Sequence, residues 1–103
     1  MTTGNSGVLL VALVEMAGSA VEAGQRYEDA VLALLGRHHG QLERRLRTDD
    51  GNEVHVIRFA DRAGYDSFLV DPERVALRAA LGDDAPTTRV LEVREVSARF
   101  LSR

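Results

Sequence analysis

The sequence predicts an α+β domain whose strands and helices follow in the order βαββαβ, and three features carry that expectation. Val8–Met16 (VLLVALVEM) is apolar at both parities, the pattern of a strand buried on two faces in the middle of a sheet. Asp49-Asp50-Gly51-Asn52 joins two short strand-like segments, and these residue types turn a chain back as a hairpin. Asp71-Pro72 splits a helical stretch in two, because proline fits the first helical position and has no amide to satisfy. Right-handed crossovers then place the helices on one face of a four-stranded antiparallel sheet with strand order 4-1-3-2, the ferredoxin-like arrangement.

Each element has a local reason. Ala17-Gly18 ends the first strand, and Ser19 with Glu22 fits a capping box that opens the first helix. Tyr27, Val31, Leu34, Leu35 and His38 form one stripe of that helix, with Ala30 beside them. Arg37, His38 and His39 place positive charge in its last turn, and Gly40 suits the C′ position. Gln41–Thr48 reads as an edge strand guarded by charge, with Leu42 and Leu46 on one side. Glu53–Phe59 is the return strand. Asp61 caps a short helix carrying Tyr65, Phe68 and Leu69, and Gly82 ends the helix that Pro72 begins. Arg89–Val96 alternates as a last strand. Residues 1–7 read as a disordered leader, 8–96 as a single domain and 97–103 as a C-terminal tail.

Composition narrows the function classes. The chain has 103 residues, 45% apolar and 28% charged, with a net charge of −3 and no cysteine. One globular domain fits that length, and disulfides, thiolate metal sites and thiol nucleophiles are excluded. All 13 basic residues are arginine, so a Schiff-base lysine is excluded too. No basic stripe stands apart from acids, which argues against nucleic acid. The longest apolar run, Val8–Val14, is far short of a membrane span, and the leader lacks the positive charge of a signal peptide. A cytoplasmic location is the expectation. Phosphate-loop, dinucleotide and zinc-protease motifs are missing from the sequence. His38 and His39 diverge by about 100° on a helix and do not form a chelating pair, so they read as a helix-end feature and no metal site is expected.

Helices cover one sheet face, yet Leu9, Val11 and Leu13 make the first strand apolar on the other as well. A second copy packed sheet against sheet would cover that face, so a homodimer is expected. With this pattern and the segment VIRFADRAGYDSFLVDPE, the chain resembles the dimeric α+β barrel superfamily. That group includes the antibiotic-biosynthesis monooxygenases, the muconolactone-isomerase-like proteins and small families of unassigned function. In the cofactor-independent monooxygenases the equivalent strand ends in tryptophan, with an asparagine four residues earlier, a tyrosine six residues later and an arginine on the next helix. Phe59, His55, Tyr65 and Arg78 hold those places here; Tyr65 matches, while Phe59 and His55 depart from the pattern. The resemblance implies a cavity between sheet and helices, with no cofactor.

His55 and Tyr65 are therefore the catalytic candidates, and Tyr27, Phe59, Phe68 and Arg78 the substrate-binding ones. His55 suits a general base near neutral pH, or else is a hydrogen-bonded histidine near a strand end beside Glu53. Tyr65 and Tyr27 each carry a phenol able to donate to a ligand carbonyl, on stripes that equally suit buried rings. Arg78 reads either as an oxyanion clamp or as a surface residue. Arg58, Glu92 and Arg94 are expected to form an ion-pair network inside the dimer barrel. Two functions fit. One is a cofactor-independent enzyme of monooxygenase, isomerase or cyclase type acting on a small apolar or aromatic metabolite. The other is a non-catalytic dimer that binds a small molecule or a protein.

Overall fold

The computed structural model describes residues 7–96, so the expected tail and all but Gly7 of the expected leader lie outside the described residues. Strand β1 (Val8–Glu15) runs into helix α1 (Val21–Leu32), a 3₁₀ turn at Leu35–His38, and the hairpin β2 (Gly40–Arg47) and β3 (Glu53–Phe59). Helices α2 (Arg62–Leu69) and α3 (Pro72–Leu81) follow, then strand β4 (Thr87–Val93). The four strands form one antiparallel sheet in the order β2-β3-β1-β4. This is the expected ferredoxin-like topology, with doubly apolar β1 at its centre. β4 starts two residues earlier than its alternation suggested, at Thr87.

On β1 the two parities part company. Val8, Leu10, Ala12 and Val14 are buried under the helices, while Leu9 and Val11 are half-buried and Leu13 is 38% exposed on the open face. Val8, Leu10, Ile57 and Phe59 pack with Tyr27, Val31, Leu34, Leu35 and Phe68 as one core cluster, and Ala12, Val14 and Met16 form a second beside Val21. The aromatic end of the larger cluster is tight: the Phe59 ring lies 5.5 Å from Tyr65 and 5.6 Å from Phe68.

Three local expectations need correction. Ser19 does not cap α1. Ala20 donates to the Ala17 carbonyl at 2.8 Å, and this turn makes Ala20 the N-cap, without a side-chain cap. The first helix also stops at Leu32, and the chain tightens into the 3₁₀ turn. Its left-handed terminal residue is His39 (φ 60°), not Gly40. Gly40 lies in β2 against a ring, where an added Cβ would meet Phe59 Cε1 at 2.7 Å, so glycine is required there for packing. Third, Leu42 and Leu46 lie on opposite faces. A β-bulge between Leu42 and Arg44 inserts a residue, so Leu42 pairs with Ile57 under the helices while Leu46 pairs with Val54 on the open face.

The α2–α3 corner is built as the sequence suggests. Asp61 accepts from the Gly64 amide at 2.8 Å, and Asp71 accepts from the Glu73 amide at 2.8 Å with Pro72 opening α3. Buried Asp71 also takes His38 Nε2 at 2.6 Å and Arg37 Nη1 at 3.2 Å. The hydrogen bond from His38 leads the effects that outweigh burial and hold this carboxyl at about 2. His38 and Arg37 thus tie the 3₁₀ turn to the start of α3. Gly64 lets α2 approach that turn, since a Cβ there would lie 2.3 Å from the His38 carbonyl oxygen. Gly64→Ala is expected to cost about 1–3 kcal/mol of stability, because backbone must move to relieve the clash; urea unfolding would measure it.

Candidate active site

A cavity of about 310 Å³ opens between the sheet and the helices. Its volume is at the small end of ligand pockets, the size for a compact metabolite. Ala12, Val14, His55 and Ile57 form its floor on the sheet, with Thr88 and Val90 along β4. Tyr27, Glu28, Val31 and Leu32 of α1, Phe68 of α2, and Arg74 and Arg78 of α3 close it from the helix side.

The polar part of this wall is a chain of hydrogen bonds. His55 is 2% exposed and its Nε2 lies 2.8 Å from Glu53 Oε1. Glu53 is itself 1% exposed and takes Arg45 Nε and Nη2 at 2.8 and 3.1 Å, and Arg47 Nε and Nη2 at 2.9 and 2.5 Å. Burial alone pushes this carboxyl up; the bonds from Arg45, His55 and Arg47 overcome that and hold it at about 2. A carboxylate only accepts, so the shared proton is on Nε2 of His55 and the free lone pair is on Nδ1. Burial lowers the pKa of His55 despite the neighbouring carboxylate, which keeps the ring neutral at pH 7. Nδ1 faces Glu28 Oε1 at 4.0 Å.

Glu28 is 5% exposed and is pushed up to about 7, first by burial and then by the charge of Glu53, against the pull of Arg45, Arg74 and Arg78. Two buried carboxyl groups on either side of one imidazole are therefore pushed in opposite directions, one down to about 2 and the other up to about 7. That separation gives one the role of fixed anion and the other a proton that exchanges near neutral pH.

His55, Tyr27, Phe68 and Arg78 come together around the cavity, but the lining does not include Phe59 or Tyr65. Phe59 is 1% exposed inside the core, and Tyr65 packs on it from α2. Arg78 donates from Nη1 to the Pro86 carbonyl at 3.0 Å. Glu53, expected only as a rim neighbour of His55, is the most strongly bonded group of the site. The expected network of Arg58, Glu92 and Arg94 is replaced by two surface pairs, Arg58–Glu43 at 2.7 Å and Arg62–Glu92 at 2.6 Å. Arg58 pairs with Leu9 on the open face, whereas Glu92 pairs with Leu10 on the helix face, so one network cannot join them. Among the described residues no group of three or more His, Cys, Asp or Glu side chains is placed to hold a metal ion.

Glu28, Arg45 and Arg74 were missed in the sequence. Glu28 had a signal: with Gly24, Tyr27 and Val31 it falls on the buried face of α1, where an acid is out of place. Arg45 had none, because only the bulge turns it toward Glu53.

The raised pKa of Glu28 fixes the sign of a pH effect. The folded chain holds this proton more tightly than the unfolded one, so the contribution is full below 4.5 and is lost as pH rises through about 7. His55, depressed from 6.5, acts with the opposite sign below that value, so the comparison with a variant isolates Glu28. Glu28→Gln is expected to gain roughly 3 kcal/mol relative to the parent chain between pH 4.5 and pH 8, measured by urea unfolding at both ends. An unchanged difference across that range would show that Glu28 ionises normally.

No protein-family model matches the chain, and no curated protein does. Solved structures do. Rv0793 from Mycobacterium tuberculosis is 20% identical over 89% of this chain and 99% of its own, with a TM-score of 0.67. A Nitrosomonas europaea protein, provisionally named an antibiotic biosynthesis monooxygenase, is 13% identical over 93% and 95%, with a TM-score of 0.70. SnoaB from Streptomyces nogalater, described as a cofactor-independent oxygenase, is 18% identical over 88% and 96%, with a TM-score of 0.62. Likeness at these identities is likeness of fold: the chain has the ferredoxin-like α+β fold of the antibiotic-biosynthesis-monooxygenase-like proteins.

Proposed function

We propose that this chain is an enzyme that removes a proton from a weakly acidic C–H or phenolic O–H of a compact apolar or aromatic metabolite, without a bound cofactor. One observation carries the reading: the buried array Glu53–His55–Glu28, with a neutral imidazole between a fixed anion and a carboxyl that titrates near 7, opens onto a cavity. Glu53 holds the imidazole in the tautomer with Nδ1 as acceptor. His55 Nδ1 takes the substrate proton, and the electron pair stays on the substrate as an enolate, carbanion or phenolate. Glu28, one short rotation or one water away, accepts the proton from the imidazole and returns it. Arg78 and Arg74 place positive charge on the α3 wall, which favours an anionic molecule in the cavity. Tyr27 and Phe68 supply apolar walls, and Tyr65 supports the site indirectly through Phe59. Such an anion is the shared first step of cofactor-free oxygenation, isomerisation and cyclisation. The likeness in fold to the S. nogalater oxygenase favours the first of these.

The same reading includes a homodimer. Leu9, Val11, Val54 and Val56 are half-buried on the open sheet face, with Leu13, Leu46 and Leu91 at 38%, 43% and 37% exposure around them. A second copy, sheet against sheet, would cover this apolar surface.

Deuterium uptake by a panel of phenols, quinols and cyclic ketones, followed by NMR together with oxygen consumption, tests the chemistry. His55→Gln is expected to slow exchange by about 10²–10⁴-fold, and the parent rate to rise with pH through about 7, with Glu28→Gln removing that rise. Exchange that survives in both variants would sink the mechanism. For the dimer, Val56→Arg is expected to give monomers in sedimentation equilibrium where the parent chain gives dimers; a monomeric parent chain refutes it.

A further inference from the structure

We propose that the cavity takes a metabolite carrying a carboxylate, which Arg74 and Arg78 bind on the α3 wall facing His55. The proposal rests on the cavity being the substrate site and specifies what enters it. Its first support is an unmatched donor. Arg74 Nε is buried and has no hydrogen-bond partner among the described residues. A buried N–H of a cation without an acceptor is costly, and native structures rarely leave one without strain, a water or an ion to account for it.

The second support is that this guanidinium is held in place. Arg74 Nη1 donates to the Leu69 carbonyl at 3.1 Å, and Cζ lies 5.1 Å from the centre of the Phe68 ring. One edge is thus tied to the end of α2 and one face rests on an aromatic wall of the cavity, leaving the Nε–H without an acceptor. Arg78, four residues on and so on the same face of α3, is anchored through Nη1 to Pro86 and lines the same cavity.

Charge supplies the third. Glu53 is matched by Arg45 and Arg47, and the neutral His55 adds nothing. Glu28 is the one acid in the lining, and no ion pair joins it to Arg74 or Arg78 among the described residues. With Glu28 ionised, the two guanidinium groups leave one positive charge in the lining, which an anion of single charge balances. A planar carboxylate fits the fork of an arginine, whereas a dianionic phosphate beside Glu28 would be repelled. With the carboxylate held by α3, the rest of the molecule extends toward His55 Nδ1, which orients one particular C–H or O–H for removal.

Calorimetric titration with matched pairs tests this: benzoate with benzamide, 2-naphthoate with 2-naphthamide, and hexanoate with hexanamide. The expected result is a preference of tenfold or more for the carboxylate in at least one pair. Arg74→Gln and Arg78→Gln should each weaken that binding by about tenfold. In the parent chain the ¹⁵N resonance of Arg74 Nε should shift on addition of the carboxylate, a readout that needs no variant to fold. Equal binding in every pair, or full affinity in the double variant, overturns the proposal. His55→Gln separates the two readings. If it binds carboxylates as the parent does while neither chain exchanges deuterium, the anion site stands and the proton-transfer reading falls. If neutral ketones exchange in the parent chain and no carboxylate is preferred, the reverse holds.

Discussion

The carboxylate of Glu53 is buried at the edge of the hairpin, and a lone charge there would be strongly destabilising. It is tolerated because Arg45 and Arg47 reach it from the next strand and His55 reaches it from its own. Most of what is distinctive in the molecule follows from that arrangement. The arginines arrive only because of the β-bulge after Leu42, which shifts the remainder of β2 by one residue and turns Arg45 and Arg47 from the open face to the helix face. Arg45 then also bonds Asp29 and the Gln25 carbonyl, so the ion cluster fastens α1 to the sheet edge. An edge strand that reads as a charged guard against aggregation therefore also frames the polar wall beside the cavity.

The cluster sets the electrostatics of the cavity as well. Glu53 fixes the proton of His55 on the nitrogen away from Glu28, and its charge adds to burial in keeping the Glu28 proton bound. Two identical side-chain types thus behave oppositely within one site: one has hydrogen-bonding cations around it and the other has mostly carbon. The arginines of α3 lie on the far wall, where they moderate Glu28 without pairing with it. The asymmetry of charge between sheet and helix walls gives the cavity a direction, which a purely apolar core cleft would lack.

On the other face of the sheet the physics is simpler. Leu9, Val11, Leu13, Val54, Val56 and Leu91 line it, and no helix among the described residues covers them. Helices on one side only, with β1 apolar on both, leave the domain with a sheet face that burial against another surface would stabilise. The surface ion pair of this face, Arg58–Glu43, and the pair Arg62–Glu92 on the helix side are exposed and contribute little by themselves.

The sequence by itself determined the topology, because hydrophobic periodicity, the hairpin turn at Gly51 and the Asp-Pro restart are local signals that survive without coordinates. It also singled out His55, Tyr27, Phe68 and Arg78, whose positions follow from strand parity and helix periodicity. Tertiary structure decided what parity could not. A bulge is an insertion without a residue signature, so the partners of Glu53 were hidden, and Leu42 and Leu46 were assigned to one face. Tyr65 and Phe59 sit where periodicity puts them, yet which end of a two-part core holds empty space depends on how three helices settle on a twisted sheet. The proton affinities of Glu28 and Glu53 depend on the same thing, since burial and neighbouring charge are properties of the packed molecule and not of the residues.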